Sequence, residues 1–290
     1  MGDAKFAVLD TRAPLAVSGT EAQGFLQGLV SNDVTKVDTR HAVYAALLTP
    51  QGKFLHDFFI VERDGALVLG AEAARFEDLA KRLRMFKLRA KVEIAPLTSH
   101  VVAAAWGAGA EKALAIEGAY VDPRLPEAGI RLILAAASAR AQLSAAGLAE
   151  AEAVEYDRHR MALGLPDGSR DMEVDKAILL ECGFEELRGV DFEKGCYIGQ
   201  ELTARTKYRG LVKKRLMPVA IEGAAPTPGT PITLQGRDAG ELRSARDGMG
   251  LALIRLDALE QARIEGVPLM AGETPIAAWT PSWMSLPDRD

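Results

Sequence analysis

The chain has 290 residues, 48% hydrophobic and 26% charged, which suits a globular protein of two domains or one large domain with an appendage. Its net charge of −5 gives no global footprint for nucleic acid or an anionic membrane, and no apolar run reaches the roughly 18 residues of a membrane span. The first six residues lack the apolar stretch of a signal peptide, so a cytoplasmic protein is expected.

Residues 6–10 and 15–17 read as short strands. Thr20-Glu21-Ala22-Gln23 has the form of a capping box opening a helix through Phe25, Leu26, Leu29 and Val30, which ends near Ser31-Asn32-Asp33. Residues 43–49 and 53–61 are strands about a Pro50-Gln51-Gly52 turn. In the second, Phe54, His56, Phe58 and Ile60 share one face, which makes His56 a core histidine rather than a ligand. Asp64-Gly65 is a hairpin signal leading into 66–69. Residues 73–89 form an amphipathic helix, with Phe76, Leu79, Leu83 and Phe86 opposite Arg75, Asp78, Lys81 and Arg82.

Strands follow at 91–94 and 100–106. Gly107-Ala108-Gly109 lacks the third glycine of a dinucleotide loop, and the chain has no P-loop lysine motif. Residues 113–121 and 129–134 read as further strands, and 139–163 as helix interrupted near Gly147. Strands alternating with amphipathic helices predict an α+β body over residues 1–210, built of two interleaved subdomains. From 211 to 290 short β segments alternate with Pro/Gly turns, which reads as a small C-terminal β-barrel domain.

Chemistry concentrates between 181 and 215. Lys194-Gly195-Cys196-Tyr197-Ile198-Gly199-Gln200-Glu201 sets a thiol between glycines, with a lysine two residues before it. A helix is expected from Gln200 to about Lys207, with Glu201 placed to pair with Arg205. A lysine and a helix start favour the thiolate, the reactive form; the other reading is a small buried cysteine in a Gly-rich turn. Cys182 and Cys196 are the only cysteines and neither lies in a CxxC, so free thiols are expected. The four histidines have no metal-ligand spacing, and no metal site is expected. Glu181, between apolar neighbours, is either a ligand-binding carboxylate or an exposed loop residue. Six basic residues without an acid (Arg205, Lys207, Arg209, Lys213, Lys214, Arg215) form either an anion-binding run or a solvated face.

Lys194 to Arg205, KGCYIGQELTAR, resembles the hallmark motif of YgfZ-type folate-binding proteins, relatives of a mitochondrial iron–sulfur assembly factor and of the T-protein (aminomethyltransferase) of glycine cleavage. The segment FLQGLVSNDV from Phe25, Thr49-Pro50-Gln51-Gly52-Lys53, Phe86 to Val92, Arg160 to Pro166 and Gly250 to Leu256 are similar to the family as well. The resemblance implies a T-protein-like, three-lobed arrangement around a channel holding tetrahydrofolate or a derivative, and a role in assembling or repairing iron–sulfur clusters with assembly or client proteins as partners. It implies Cys196 as the functional thiol, with Glu181, Lys194, Gly195, Tyr197, Gly199, Gln200, Glu201, Arg205 and Arg209 around the folate. Glu181 matches the T-protein glutamate that contacts the pterin, with Cys182 standing where that family has alanine. The T-protein's catalytic aspartate lies on the helix of Asp78, but the alignment there needs a gap, and no catalysis is assigned to Asp78. The T-protein lacks the Cys motif, which argues against aminomethyl transfer; folate-dependent one-carbon transfer stays as the alternative, beside a thiol-nucleophile enzyme and a non-catalytic adaptor.

Overall fold

β1 (Lys5–Val8) and β2 (Arg12–Ser18) begin the computed structural model, which describes residues 3–286, and they enter different sheets at once. Helix α1 (Ala22–Gln27) is shorter than expected and makes no capping box. Its N-cap is Glu21, whose carboxylate accepts the backbone N–H of Lys91 instead. Gly28 follows the last helical residue and weakens any continuation. β3 (Val43–Leu48), β4 (Phe54–Arg63) and β5 (Ala66–Glu72) form an antiparallel meander. Asp64 and Gly65 take φ of 50° and 74°, the paired positive values of a type I′ hairpin.

All of β3 and the first eight residues of β4 are buried, because this sheet is covered on both faces. Leu47, Phe58, Ile60 and Leu69 pack under the helices on one side; Tyr44, Phe59 and Val68 meet the second sheet on the other. The register shifts at Leu47/Leu48, and Phe54 packs in the second cluster rather than with Phe58 and Ile60. His56 is a satisfied core histidine: it lies 2.9 Å from Asp78, and burial lowers its pKa to about 4, so it is neutral at pH 7.

α2 (Phe76–Lys87) buries Leu79 and Leu83 as its periodicity predicts, but Phe76 is only partly covered and Phe86, expected on the same face, is exposed in the last turn, beyond the cover of the core; β6 (Glu93–Pro96) and β7 (His100–Trp106) follow. Of the strand expected at 113–121, the first three residues end a 3-10 helix, Ala110–Ala115, residues 116–118 turn, and only β8 (Ala119–Val121) is extended. β9 (Ile130–Ala135) closes the β7–β8 group, with α3 (Ala139–Ala145) after it. The break near Gly147 leads into a two-residue strand, β10 (Ala149–Glu150), which pairs in parallel with β1 before α4 (Ala153–Ala162). One sheet thus runs β10-β1-β7-β9-β8 and the other β3-β4-β5-β2-β6.

Charged groups, not only apolar ones, join these sheets. Asp122, fully inside, accepts from Arg124 at 2.8 Å and 3.0 Å and from Arg131 at 2.8 Å. The Arg131 guanidinium lies 3.8 Å from the ring centre of Phe59 on β4 and donates to the Tyr156 hydroxyl. Nearby, buried Asp57 is held by Arg12 and by the Tyr44 hydroxyl.

α5 (Gln200–Tyr208) precedes the last lobe: β11 (Lys214–Ile221), β12 (Pro231–Leu234), β13 (Arg237–Arg246), β14 (Met249–Arg255), α6 (Leu256–Glu265), β15 (Leu269–Ala271) and β16 (Thr274–Ala278). The strands close into a barrel in the order β11-β14-β13-β12-β15-β16, and Leu256, Leu259 and Ala262 of α6 join its core. The α+β class with a C-terminal barrel is as expected; α6 and β16 were not foreseen.

Candidate functional site around Cys196

Three of the sequence segments singled out above meet at the Cys196 loop. Lys194 Nζ donates to the carbonyls of Gln27 at 2.7 Å and Val30 at 2.6 Å, at the C-terminal end of α1 where carbonyls lack helical partners. Gln27 returns a bond to the Lys194 carbonyl at 3.3 Å, donates to Asp33 at 2.9 Å and accepts the Val34 N–H at 2.8 Å. Burial lowers the Lys194 ammonium to about 8 against the pull of Asp33 and Asp191. Lys194 is therefore a brace between the loop and α1, with its ammonium turned to carbonyls.

Gly199 fixes the other end. It sits at φ 84°, and a Cβ there would lie 2.6 Å from the Thr49 carbonyl oxygen and 3.1 Å from Gly52 Cα. Gly52, at φ 68°, faces the Gly199 oxygen in the same way, so the 49–53 turn and the start of α5 approach through two glycines. Tyr197 is buried beneath the loop among the residues that include Cys182 and Phe184, and burial raises its hydroxyl to about 12. Between these anchors Gly195 and Cys196 are exposed.

The two thiols have opposite settings. Both are free; Cys196 is exposed, whereas Cys182 is buried and burial pushes its thiol well up. Iodoacetamide below pH 8 is expected to alkylate native protein at Cys196 alone, with Cys182 reacting only after unfolding. Mass spectrometry showing equal labelling of both in native protein would refute this assignment.

Glu181 lies on the 3-10 turn Leu179–Cys182, which packs on α5 and is tied to β4 by the Lys53–Ile178 bridge. Partial burial raises its carboxyl, opposed by Lys214, Lys53 and Arg215. Lys53 and Lys214 are half-buried and make no ion pair among the described residues. The basic run divides. Arg215 is internal, bonded to the Leu180 carbonyl and Glu186; Lys207 pairs with Glu185 at 2.6 Å and sits 4.0 Å over Phe192. Arg205, Arg209 and Lys213 are exposed, and the expected Glu201–Arg205 pair is absent among the described ion pairs. Gln200 is half-buried at the first position of α5, and Glu201 is exposed beside it.

A broad cleft lies elsewhere. It encloses about 1310 Å³ between residues 39–43, 62–64, 114–126 and 185–193, with Lys207 on its wall. None of Cys196, Glu181, Lys194, Gly195, Tyr197, Gly199, Gln200, Glu201, Arg205 or Arg209 lines it. Half-buried Glu62 and exposed Arg40 and Arg188 on this cleft have no side-chain partner among the described residues, and none carried a sequence motif.

Comparison with known proteins agrees with this architecture. Residues 213–286 match the family described as CAF17, C-terminal beta-barrel domain. The chain is 32% identical to the iron–sulfur cluster assembly factor IBA57 homolog, mitochondrial, of Mycosarcoma maydis, over 96% of this chain and 84% of that protein. It is also 32% identical to mitochondrial IBA57 of Mus musculus, over 87% and 78%, and of Homo sapiens, over 85% and 76%. The crystal structure of glycine cleavage system aminomethyltransferase T from Bartonella henselae superposes with a TM-score of 0.74 at 15% identity, over 98% of this chain and 87% of that one. The T-protein-like fold expected from the motifs is thereby shown. The mitochondrial relatives overturn the expectation of a cytoplasmic protein.

Proposed function

The chain belongs to the IBA57 family of iron–sulfur cluster assembly factors, and on that premise we propose that it assists assembly or repair of iron–sulfur clusters in client enzymes through the exposed thiol of Cys196, with a reduced folate as its ligand. The observation that carries the reading is the setting of Cys196: an exposed thiol on a loop held at both ends, by Lys194 on α1 and by Gly199 on the 49–53 turn. Thiolates are the natural ligands of cluster iron, and clusters are commonly held by four of them. One exposed thiol supplies one such ligand, so the rest come from assembly or client proteins, and the loop's exposure leaves room for them.

The folate reading is supported by the donor set at Glu181. A half-buried carboxylate can accept hydrogen bonds from the N–H groups of a pterin, while the ammonium groups of Lys53 and Lys214, without an ion pair among the described residues, suit the carboxylates of a glutamate tail. A bound reduced folate supplies a carrier for one-carbon units. Aminomethyl-type transfer, the alternative, rests on a fold likeness at 15% identity, which is evidence of architecture alone.

Tetrahydrofolate is expected to bind the purified protein, and Glu181→Ala to weaken it by about 1.5–3 kcal/mol, the worth of a charge-assisted hydrogen bond. Calorimetry showing equal affinity in the variant removes Glu181 from the site. No binding to the unaltered protein removes the folate half of the reading while leaving the thiol half in place.

A further inference from the structure

α2 ends on a surface that its own fold does not use. Met85, Phe86 and Leu88 are 67%, 43% and 88% exposed. They are three of the nine large apolar side chains left exposed among the described residues, gathered within four positions. Single exposed apolar residues are ordinary, but a cluster rimmed by charge is the mark of an interaction site. The chain around them carries charge of one sign. Residues 81–91 hold Lys81, Arg82, Arg84, Lys87, Arg89 and Lys91 and no acid, in a chain of net charge −5. Arg82 is taken by Asp78 at 2.9 Å and Arg84 reaches the Ile94 carbonyl at 3.4 Å. Lys81, Lys87, Arg89 and Lys91 make no side-chain bond among the described residues.

The backbone adds a second observation. Leu88 sits at φ 43°, ψ −109°, a region that side-chain-bearing residues rarely occupy. Such strain persists only where the surroundings impose it, and it gathers at functional positions. It is imposed here by the Ala90 N–H on the Lys87 carbonyl at 2.8 Å and by the Lys91 N–H on Glu21. The result turns the apolar side chain outward between cations.

We propose that this surface docks an acidic protein segment that brings apolar side chains onto Met85, Phe86 and Leu88. The apolar area spans only the last helical turn and one tight loop, too short for an amphipathic helix lying in a bilayer surface. It has instead the arrangement of a protein–protein interface, an apolar centre beside charges that steer an oppositely charged partner. Its place fits a partner that also approaches the thiol. Glu21, at the start of α1, holds Lys91, and the far end of α1 holds Lys194, so the two surfaces flank one six-residue helix about 9 Å long. The inference stands apart from the folate and thiol readings.

The test is photo-crosslinking in cells making the full chain, with benzoylphenylalanine placed at position 88, at 85, and at Ile264, an apolar position 78% exposed on α6. Adducts at 85 or 88 that exceed those at Ile264, and map to an acidic segment of another protein, are expected. Lys87→Glu/Arg89→Glu should cut them about tenfold. In lysates of the same cells, raising ionic strength from about 0.1 M to about 1 M before irradiation should do the same, because it shortens the screening length from about 10 Å to about 3 Å. Should the charge reversal unfold the chain, Lys87→Ala/Arg89→Ala replaces it. The proposal falls if adducts match the Ile264 control, if they are lipid or a second copy of this chain, or if an acidic adduct ignores charge reversal. Normal iron–sulfur enzyme activity with no adduct would sink this surface alone.

Discussion

Cells carrying Cys196→Ser in place of the native chain are expected to lose iron–sulfur enzyme activity to the level of cells with no chain, while the variant protein folds. The exposed position leaves no cavity, so unfolding free energy should change by less than about 1 kcal/mol. A hydroxyl keeps the shape of the side chain but is a poor ligand for iron and a poor partner in thiol exchange. Cys182→Ala should behave the other way. Its thiol is buried in the core cluster that includes Tyr44 and Phe184, so the change should cost about 1 kcal/mol of stability and leave enzyme activity near normal. Client-enzyme activity and urea melts on both variants decide the matter. Full activity in the Cys196→Ser cells would reduce the motif to architecture.

The second large effect is on stability. Asp122→Ala leaves two buried guanidinium groups, Arg124 and Arg131, without their shared carboxylate, and should lower unfolding free energy by about 3–5 kcal/mol. Replacing all three, as Asp122→Leu/Arg124→Leu/Arg131→Met, should recover much of the loss, because no charge is then stranded. The pH dependence has a definite sign. Burial would raise the Asp122 carboxyl, but Arg124 and Arg131 outweigh it and hold the pKa at about 2. Its contribution is therefore complete above the unfolded value of about 3.9 and is lost as pH falls through about 2. Urea midpoints at pH 7 and pH 3 measure both. A change under about 1 kcal/mol in Asp122→Ala would refute the account.

Local rules were enough where local forces decide. Asp64-Gly65 announces its hairpin because few other residues tolerate positive φ at both positions, and Leu79 and Leu83 mark the inner face of α2 by their spacing. β10 left no trace because two residues carry no period, and its partner β1 lies far away in sequence. The Ala-rich stretch 110–115 reads equally as strand or helix, and a 3-10 helix formed. In the candidate site, KGCYIGQE pointed to a loop that proves to carry an exposed thiol, but not to the direction of its lysine. Nearness in sequence suggested a charge beside the thiol, whereas carbonyls on α1 hold it. The basic run looks uniform as letters, yet Arg215 lies inside and Arg205 outside, a division made by β11 entering the barrel. The large cleft is assembled from separate segments and has no linear signature at all.

The bracing of the Cys196 loop also orders events during synthesis. Lys194 reaches Gln27 and Val30 across 167 and 164 residues of chain, and contacts so distant in sequence close slowly. A ribosome releases the chain from its N-terminus at about 5–20 residues per second, so α1 and the 49–53 turn emerge on the order of ten seconds or more before the thiol. The seat is ready first. Until it is filled, Cys196 rides on a loose backbone and competes for metal like any cysteine of an unfolded chain. The grip of Lys194 on α1 ends that interval, and a completed body becomes the condition for a thiol held in one place.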